Sequence, residues 1–460
     1  MTEPDDPLSA FLDAAGVPLD RGHATGTLET AETILAAHPE LPDQNILAAA
    51  VVGDDVRVRR FLASDPSLAT AKAGPRGWDP LTSLCFSRYL RLDPGRSDGF
   101  LRAAAALLDA GADPNTGWYE TNHQPNPEWE SALYGAGGIA HHEGLTRLLL
   151  ERGADPNDGE TPYHAPETHE MGVLRALVES GKLNDDSLAT ILLRKADWHH
   201  YEAIKYLLEQ GVEPNRMTYW GKTALHNAVL SDNAIEIIEV LLDHGADPTI
   251  PGDSGHGRRG PHRSAIAVAA RRGRRDILEL LERRGITTAL AGLDTLIAAC
   301  ARNDLAAIQA ISSAHPQLVT DLIAEGGKLL AEFAGNGNTA GVRNLLDLGV
   351  NIDARFAEGD GYFSVAPDST ALHVAAWRAR HDTVKFLIDR GAAIDPTDAN
   401  GHTPLARAVA ACVDSYWTHR RSPESVAALL AAGASVNGLN YPSGYADVDA
   451  LLASHGASAP

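Results

Sequence analysis

Nineteen histidines, three cysteines and a crowd of arginines between residues 258 and 284 are the side chains here whose types invite chemistry. The zinc-peptidase form of histidine metal binding places two imidazoles on one face of a helix, at i and i+4, with a carboxylate in reach. His142-Glu143 and His169-Glu170 open like the H-E-x-x-H helix of a zinc peptidase, but the fifth positions are Thr146 and Val173, which cannot ligate. The neighbours His141-His142 and His199-His200 cannot point the same way on a helix. No metal site and no cofactor is therefore expected. Gly221-Lys222-Thr223 ends like a phosphate loop, yet Arg216 stands where that loop needs its first glycine. There is no G-x-S-x-G elbow, and Gly252 to Gly260 lacks the strand-turn-helix setting of a dinucleotide loop. Cys85, Cys300 and Cys412 lie far apart among apolar or small residues and read as reduced packing residues.

The elements that must position these residues are set by a repeated phrase. LLDAGADPN ends at Asn115, LLLERGADPN at Asn157, LLEQGVEPN at Asn215 and LLDHGADPT at Thr249. Weaker copies end at Thr288, Asp353, Asp395 and Asn437. The spacing fits one or two units of about 33 residues plus insertions. In one unit, Ala375 and Ala376 are followed by Val384, Leu387 and Ile388 at helical spacing, and Gly391 is placed to stop the second helix in the left-handed conformation. Such a helix pair cannot bury its apolar face alone, so neighbouring units must stack on a shared core.

Asp398-Ala-Asn-Gly401-His-Thr403-Pro404-Leu405, Thr370-Ala-Leu-His373-Val-Ala-Ala376, Thr223-Ala-Leu-His226 and Thr161-Pro-Tyr-His164 closely resemble the opening of the ankyrin repeat. The chain resembles an ankyrin array of bacterial style with long insertions, which implies an all-α solenoid of about 10–12 helix-turn-helix repeats. The expected organisation is an N-terminal cap over 1–42 and a first array over 43–290, with insertions near 91–98, 115–128 and 251–263. A second array follows over 291–437, with insertions near 354–368 and 414–423, and then a C-terminal cap over 438–460. The phrase decays near 285–294, where the array is either continuous or kinked. His226, His373 and His164 are expected to bridge turn and backbone by hydrogen bonds.

In that family the two residues after the Ala-Ala pair and those at the hairpin tips face the concave, partner-binding side. The resemblance places Phe86, Trp198, Arg271, Arg272, Arg302, Trp377 and Arg378 there, with Trp78, Trp129, Tyr219, Trp220 and Lys222 at the tips. Five of the seven tryptophans fall at these positions, which the register leaves outside the core, and exposed large rings with arginines are typical of binding hot spots. The insertions suggest an alternative: a small-molecule or catalytic pocket formed by Trp118, Tyr119, His123, Glu130, Tyr134, Tyr362 and Phe363, with Arg88 or Arg91 as anion clamp and His123 or Glu130 as base. By family geometry the insertions at 91–98 and 414–423 lie on the opposite edge from the others.

Charge narrows the class of partner. With 39 Lys and Arg against 61 Asp and Glu the formal net charge is −22, which argues against nucleic acid. No run reaches the roughly 18 apolar residues of a membrane span, and the start lacks a basic n-region, so a cytoplasmic location without membrane partners is expected. Arginines at 258, 259, 263, 271, 272, 274, 275, 283 and 284 nevertheless form a basic strip suited to bidentate capture of anions. The leading expectation is a non-catalytic protein whose groove binds a partner protein or peptide, with an acidic segment as the preferred target.

Overall fold

The computed structural model describes residues 6–19, 22–121, 127–255, 260–286, 290–415 and 417–458. The chain is mostly helical and divides into two compact units, Met1–Thr218 and Tyr219–Pro460. The break expected at 290/291 falls inside the second unit. No helix among the described residues is long and apolar enough to cross a membrane.

One repeat shows why these residues fold as they do. Thr370 caps the helix Ala371–Trp377 in a capping box with His373. The chain then reverses through a single left-handed residue, Ala379 (φ 51°), and the Arg380 amide bonds back to the Ala375 carbonyl at 2.9 Å. The second helix, His381–Asp389, ends where Gly391 turns to φ 84°. There the Ala392 amide reaches the Leu387 carbonyl at 3.0 Å and the Gly391 amide reaches Ile388 at 2.9 Å, a Schellman closure. The recurring GAD phrase is the sequence form of this closure. The same paired bonds recur at Gly153–Ala154, Gly245–Ala246, Gly349–Val350 and Gly433–Ala434. The left-handed reversal between paired helices likewise recurs at Gly53, His199, Asp232, Gly273, Asn303 and Gly337.

Insertions add the few extended segments. Gly117–Glu120 pairs antiparallel with Glu128–Ser131, and Pro251–Asp253 with His262–Ser264. The segment 354–368 is closed by bridges between Phe356 and Ser369 and between Asp360 and Val365. The stretch 91–98 forms the short turn Pro94–Arg96 and the start of the helix Ser97–Asp109. At the ends, Pro7–Ala15 buries Phe11 and Leu12, and Ala446–Ser454 buries Val448 and Leu452.

Candidate functional site

In the second unit the helices Ala265–Arg271 and Gly326–Gly335, residues 254–255 and 260–263 and the insertion 354–368 line an open cavity of about 930 Å³. That is room for several side chains of a ligand. Leu230, Val268, Leu329 and Phe356 supply apolar wall; Arg263, Arg271, Arg272 and Lys328 supply cations; Glu325, Glu332, Glu358 and Asp360 supply carboxylates. At the lip of the cavity Asp253 accepts from the amides of Gly255 (2.8 Å) and Gly260 (3.0 Å).

The cations fall into two groups. Arg271 is engaged by Asp294 at 2.6 Å and Glu325 at 2.5 Å. Arg272 is buried and lies 2.6 Å from Asp232 and 3.0 Å from Glu332. By contrast Arg263 and Lys328 have no ion-pair partner among the described residues. Arg263 makes only a long contact to the Ser254 hydroxyl, 3.4 Å, and its pKa is lowered by burial and by Arg271. Lys328 is exposed, 5.7 Å from the centre of the Phe356 ring. Burial raises the pKa of Glu332 against the pull of Arg272.

Behind the cavity lies a buried ionic network. Asp232 accepts from Arg272 and, at 2.7 Å, from Arg378. Burial would raise its carboxyl, but the two guanidiniums overcome that and hold it far below the ordinary carboxylate range. Arg378 lies against two rings, 4.4 Å from Phe363 and 4.9 Å from Trp417, which stack on each other at 6.1 Å. The insertions 354–368 and 414–423 therefore meet, where family geometry put them on opposite edges. The helix Pro404–Val413 has ten residues where Ala371–Trp377 has seven, and this extra turn delivers Trp417 to Phe363.

The sequence-chosen groove residues thus part company. Arg271 and Arg272 line the cavity. Arg272, Arg378, Trp377, Phe86 and Trp78 are buried, not exposed as the register implied. Each has found an internal partner: Trp377 donates to the Phe363 carbonyl at 2.6 Å, and Trp78 packs on Phe86 at 5.5 Å. Lys222 is buried too, donating to the Gly255 carbonyl. Arg302 is half-buried, Trp198 and Trp220 are partly exposed, and Tyr219 is 86% exposed. Sequence reasoning missed Asp232, Glu332, Lys328 and Asp360. Arg263 was flagged only as part of the basic strip, and Arg258 and Arg259 of that strip lie outside the described residues.

The alternative pocket is brought together only in part, within the first unit. Trp118 lies 5.4 Å from Trp78 and 6.0 Å from Phe86, and Tyr134 lies 6.0 Å from Phe86 and 5.2 Å from His164. Trp118 pairs with Glu130 across the hairpin, and the buried Glu130 is pushed up to about 8 by burial and then by Glu160. Among the described residues, Glu130 Oε2 and Trp118 Nε1 are buried without a hydrogen-bond partner. Carboxylate oxygens of Glu128, Glu130 and Glu160 lie within 4.8 Å of one another, a grouping the sequence did not reveal because Glu160 comes from the next repeat. Tyr119 faces away with Trp129, 4.8 Å apart, on the exposed side of the hairpin. Arg88 donates to the carbonyls of Ala14 and Thr27 at 3.0 and 3.3 Å. Arg91 is half-buried, its pKa lowered by burial. Tyr362 and Phe363 belong to the other unit's network, and His123 lies outside the described residues.

The family model for ankyrin repeats (three copies) matches residues 167–252, 295–398 and 334–440. Among curated relatives, serine/threonine-protein kinase 12 of Arabidopsis thaliana is 41% identical over 85 residues, 18% of this chain and 17% of that protein. Mitochondrial disaggregase of Bos taurus is 27% identical over 195 residues, 40% of this chain and 24% of that one. Cyclin-dependent kinase 4 inhibitor B of Bos taurus is 38% identical over 84 residues, 18% of this chain and 58% of that one. The chain thus spans less than two thirds of the length of each. The solved human ASB11 ankyrin repeat domain matches at 22% identity and a TM-score of 0.26, over 58% of this chain and 99% of that one.

Proposed function

The chain belongs to the ankyrin-repeat family, whose members typically serve as protein-interaction scaffolds, and from that premise we propose that it binds a partner polypeptide through an acidic segment entering the second unit's cavity. One observation carries this reading: Arg263 and Lys328 stand at a cavity of about 930 Å³ with no ion-pair partner among the described residues, whereas Arg271 and Arg272 are engaged. A carboxylate brought to Arg263 regains the charge-assisted hydrogen bonds that its burial denies it. Phe356 and Leu329 offer apolar wall for an aromatic neighbour in the same peptide. Short Glu- and Asp-rich fluorescent peptides, each with one aromatic residue, should bind the full chain by anisotropy. Arg263→Ala with Lys328→Ala should weaken binding by about tenfold per cation. Equal affinity in the double variant would reject the assignment.

A second reading, a small ligand held in the first unit, is favoured by the orphaned Glu130 Oε2 and Trp118 Nε1 beside the Trp78, Phe86 and Tyr134 rings. A buried carboxyl and a buried indole N–H on cross-strand partners suit a ligand that can meet both. Native mass spectrometry of protein purified from its host separates the two readings: a bound small molecule lost in Glu130→Gln supports the second.

A further inference from the structure

The ionic network of the second unit has more guanidiniums than carboxylates to meet them. Arg272 is met by Asp232 and Glu332, Arg274 by Asp276 at 2.7 Å, and Arg378 by Asp232. Arg380 and Arg420 stand in the same neighbourhood, and neither has an ion-pair partner among the described residues. Arg380 directs its Nε to the Gly335 carbonyl at 2.8 Å. Arg420 lies 4.9 Å from the centre of the Trp417 ring, which carries Arg378 at that same distance, and its buried Nε has no acceptor.

The backbone segments that carry the two arginines are tied together through His381. His381, the residue after Arg380, donates through Nε2 to the Arg420 carbonyl at 3.0 Å and bonds through Nδ1 to the Ser425 hydroxyl at 2.7 Å. The exposed His419 adjoins them. Arg380 and Arg420 are both only partly buried as residues. Electrostatics agree with the geometry. Burial, then Arg420 and Arg378, push Arg380 down to about 9; burial and Arg378 push Arg420 to about 10. Asp232 opposes these shifts without cancelling them, and it is already shared by Arg272 and Arg378. Burial, Arg420 and Arg380 also lower His419.

We propose that Arg380 and Arg420, with His419 at the rim, form a binding site for a phosphate-class dianion, either free phosphate or a phosphate monoester. Two partly buried arginines left without counter-charge match two negative charges on a tetrahedral oxyanion, which accepts several bidentate hydrogen bonds at once. A single carboxylate would leave one fork unmet. The site shares no residue with the Arg263 and Lys328 wall, so it stands or falls separately from the peptide reading.

The test is calorimetric titration and thermal melting of the full chain with inorganic phosphate and, separately, phenyl phosphate. Ionic strength is held with chloride, above the second phosphate pKa of about 6. Saturable binding at one site with a raised melting temperature is expected. Arg420→Gln should weaken it by about tenfold or more, with circular dichroism unchanged, and Lys328→Ala should not alter it. If Arg420→Gln does not fold, the exposed His419→Gln serves, with a loss of about threefold expected. Binding of phenyl phosphate alone assigns the site to an ester on a larger molecule, and binding of inorganic phosphate alone to the free ion. No saturable binding of either, or equal affinity in the folded variants, overturns the proposal.

Discussion

Arg378 reaches the carboxylate of Asp232 at 2.7 Å, although the two residues belong to repeats that are not neighbours in the chain. Asp232 is also the left-handed residue (φ 52°) that reverses its own helix pair, so one residue shapes a turn and anchors an ionic network.

Replacing Asp232 should therefore be costly. Asp232→Asn leaves Arg272 and Arg378 buried with their shared charge removed, a loss of about 3–5 kcal/mol in urea unfolding. The wild-type carboxyl is held far below its ordinary value, so its contribution is complete above the unfolded pKa of about 3.9 and fades as pH falls below that. Acid unfolding of Asp232→Asn should lack this component. A variant as stable as wild type at neutral pH would contradict the network's role.

Glu130 has the opposite sign. Burial and Glu160 push its carboxyl up to about 8, so the folded state holds a proton that the unfolded chain releases near pH 4.3. Stability should fall as pH rises between those values, then level off. Glu130→Gln, which cannot ionise, should flatten that decline and melt higher than wild type at pH 8, by about 1 kcal/mol or more. Identical pH profiles would show that Glu130 ionises normally.

Two glycines with similar backbone angles should respond differently to alanine. Gly273 (φ 67°) has the Phe333 ring 2.7 Å from where a Cβ would stand, whereas Gly391 (φ 84°) has nothing within 4 Å. Gly391→Ala should cost about 1 kcal/mol from backbone strain alone, and Gly273→Ala about 2 kcal/mol or more. Melting temperatures of the pair decide it.

Peptide binding in the cavity should weaken steeply with salt, because it rests on cations near the surface. Between low and physiological ionic strength an affinity loss of about tenfold is expected, mostly in the association rate. The Arg263→Ala, Lys328→Ala double variant should lose that dependence. A wild-type affinity indifferent to salt would mean that apolar wall contacts dominate.

The repeat was legible because its chemistry is local. A Schellman closure needs only a glycine and an apolar residue at the right step, and a capping box only a threonine and the side chain three residues on. His226 and His373 follow the expected pattern: each shares a hydrogen bond with its capping threonine at 2.8 Å and donates to a carbonyl of the following hairpin at 3.1 and 3.0 Å. Burial accordingly lowers His373 to about 4. His164 departs from it. Asp158 already receives the Thr161 amide and hydroxyl, so His164 turns to Glu160 and Glu167, each at 3.2 Å, and those partners outweigh burial to raise it to about 9. Arg272 and Arg378 were found by register and misjudged in exposure, because their counter-ion Asp232 is distant in sequence. Nothing near residue 378 announces residue 232.

That distant pairing bears on how the second unit comes apart. A stack held only by adjacent layers can peel from its free end, one layer after another. The Asp232–Arg378 bond and the Asn338 amide, which reaches the Gly273 and Ala301 carbonyls at 2.9 and 2.8 Å, are chords across the stack. Under tension in a single-molecule stretch, the layers between 232 and 378 should release together in one rip, and Asp232→Asn should convert that rip into a staircase.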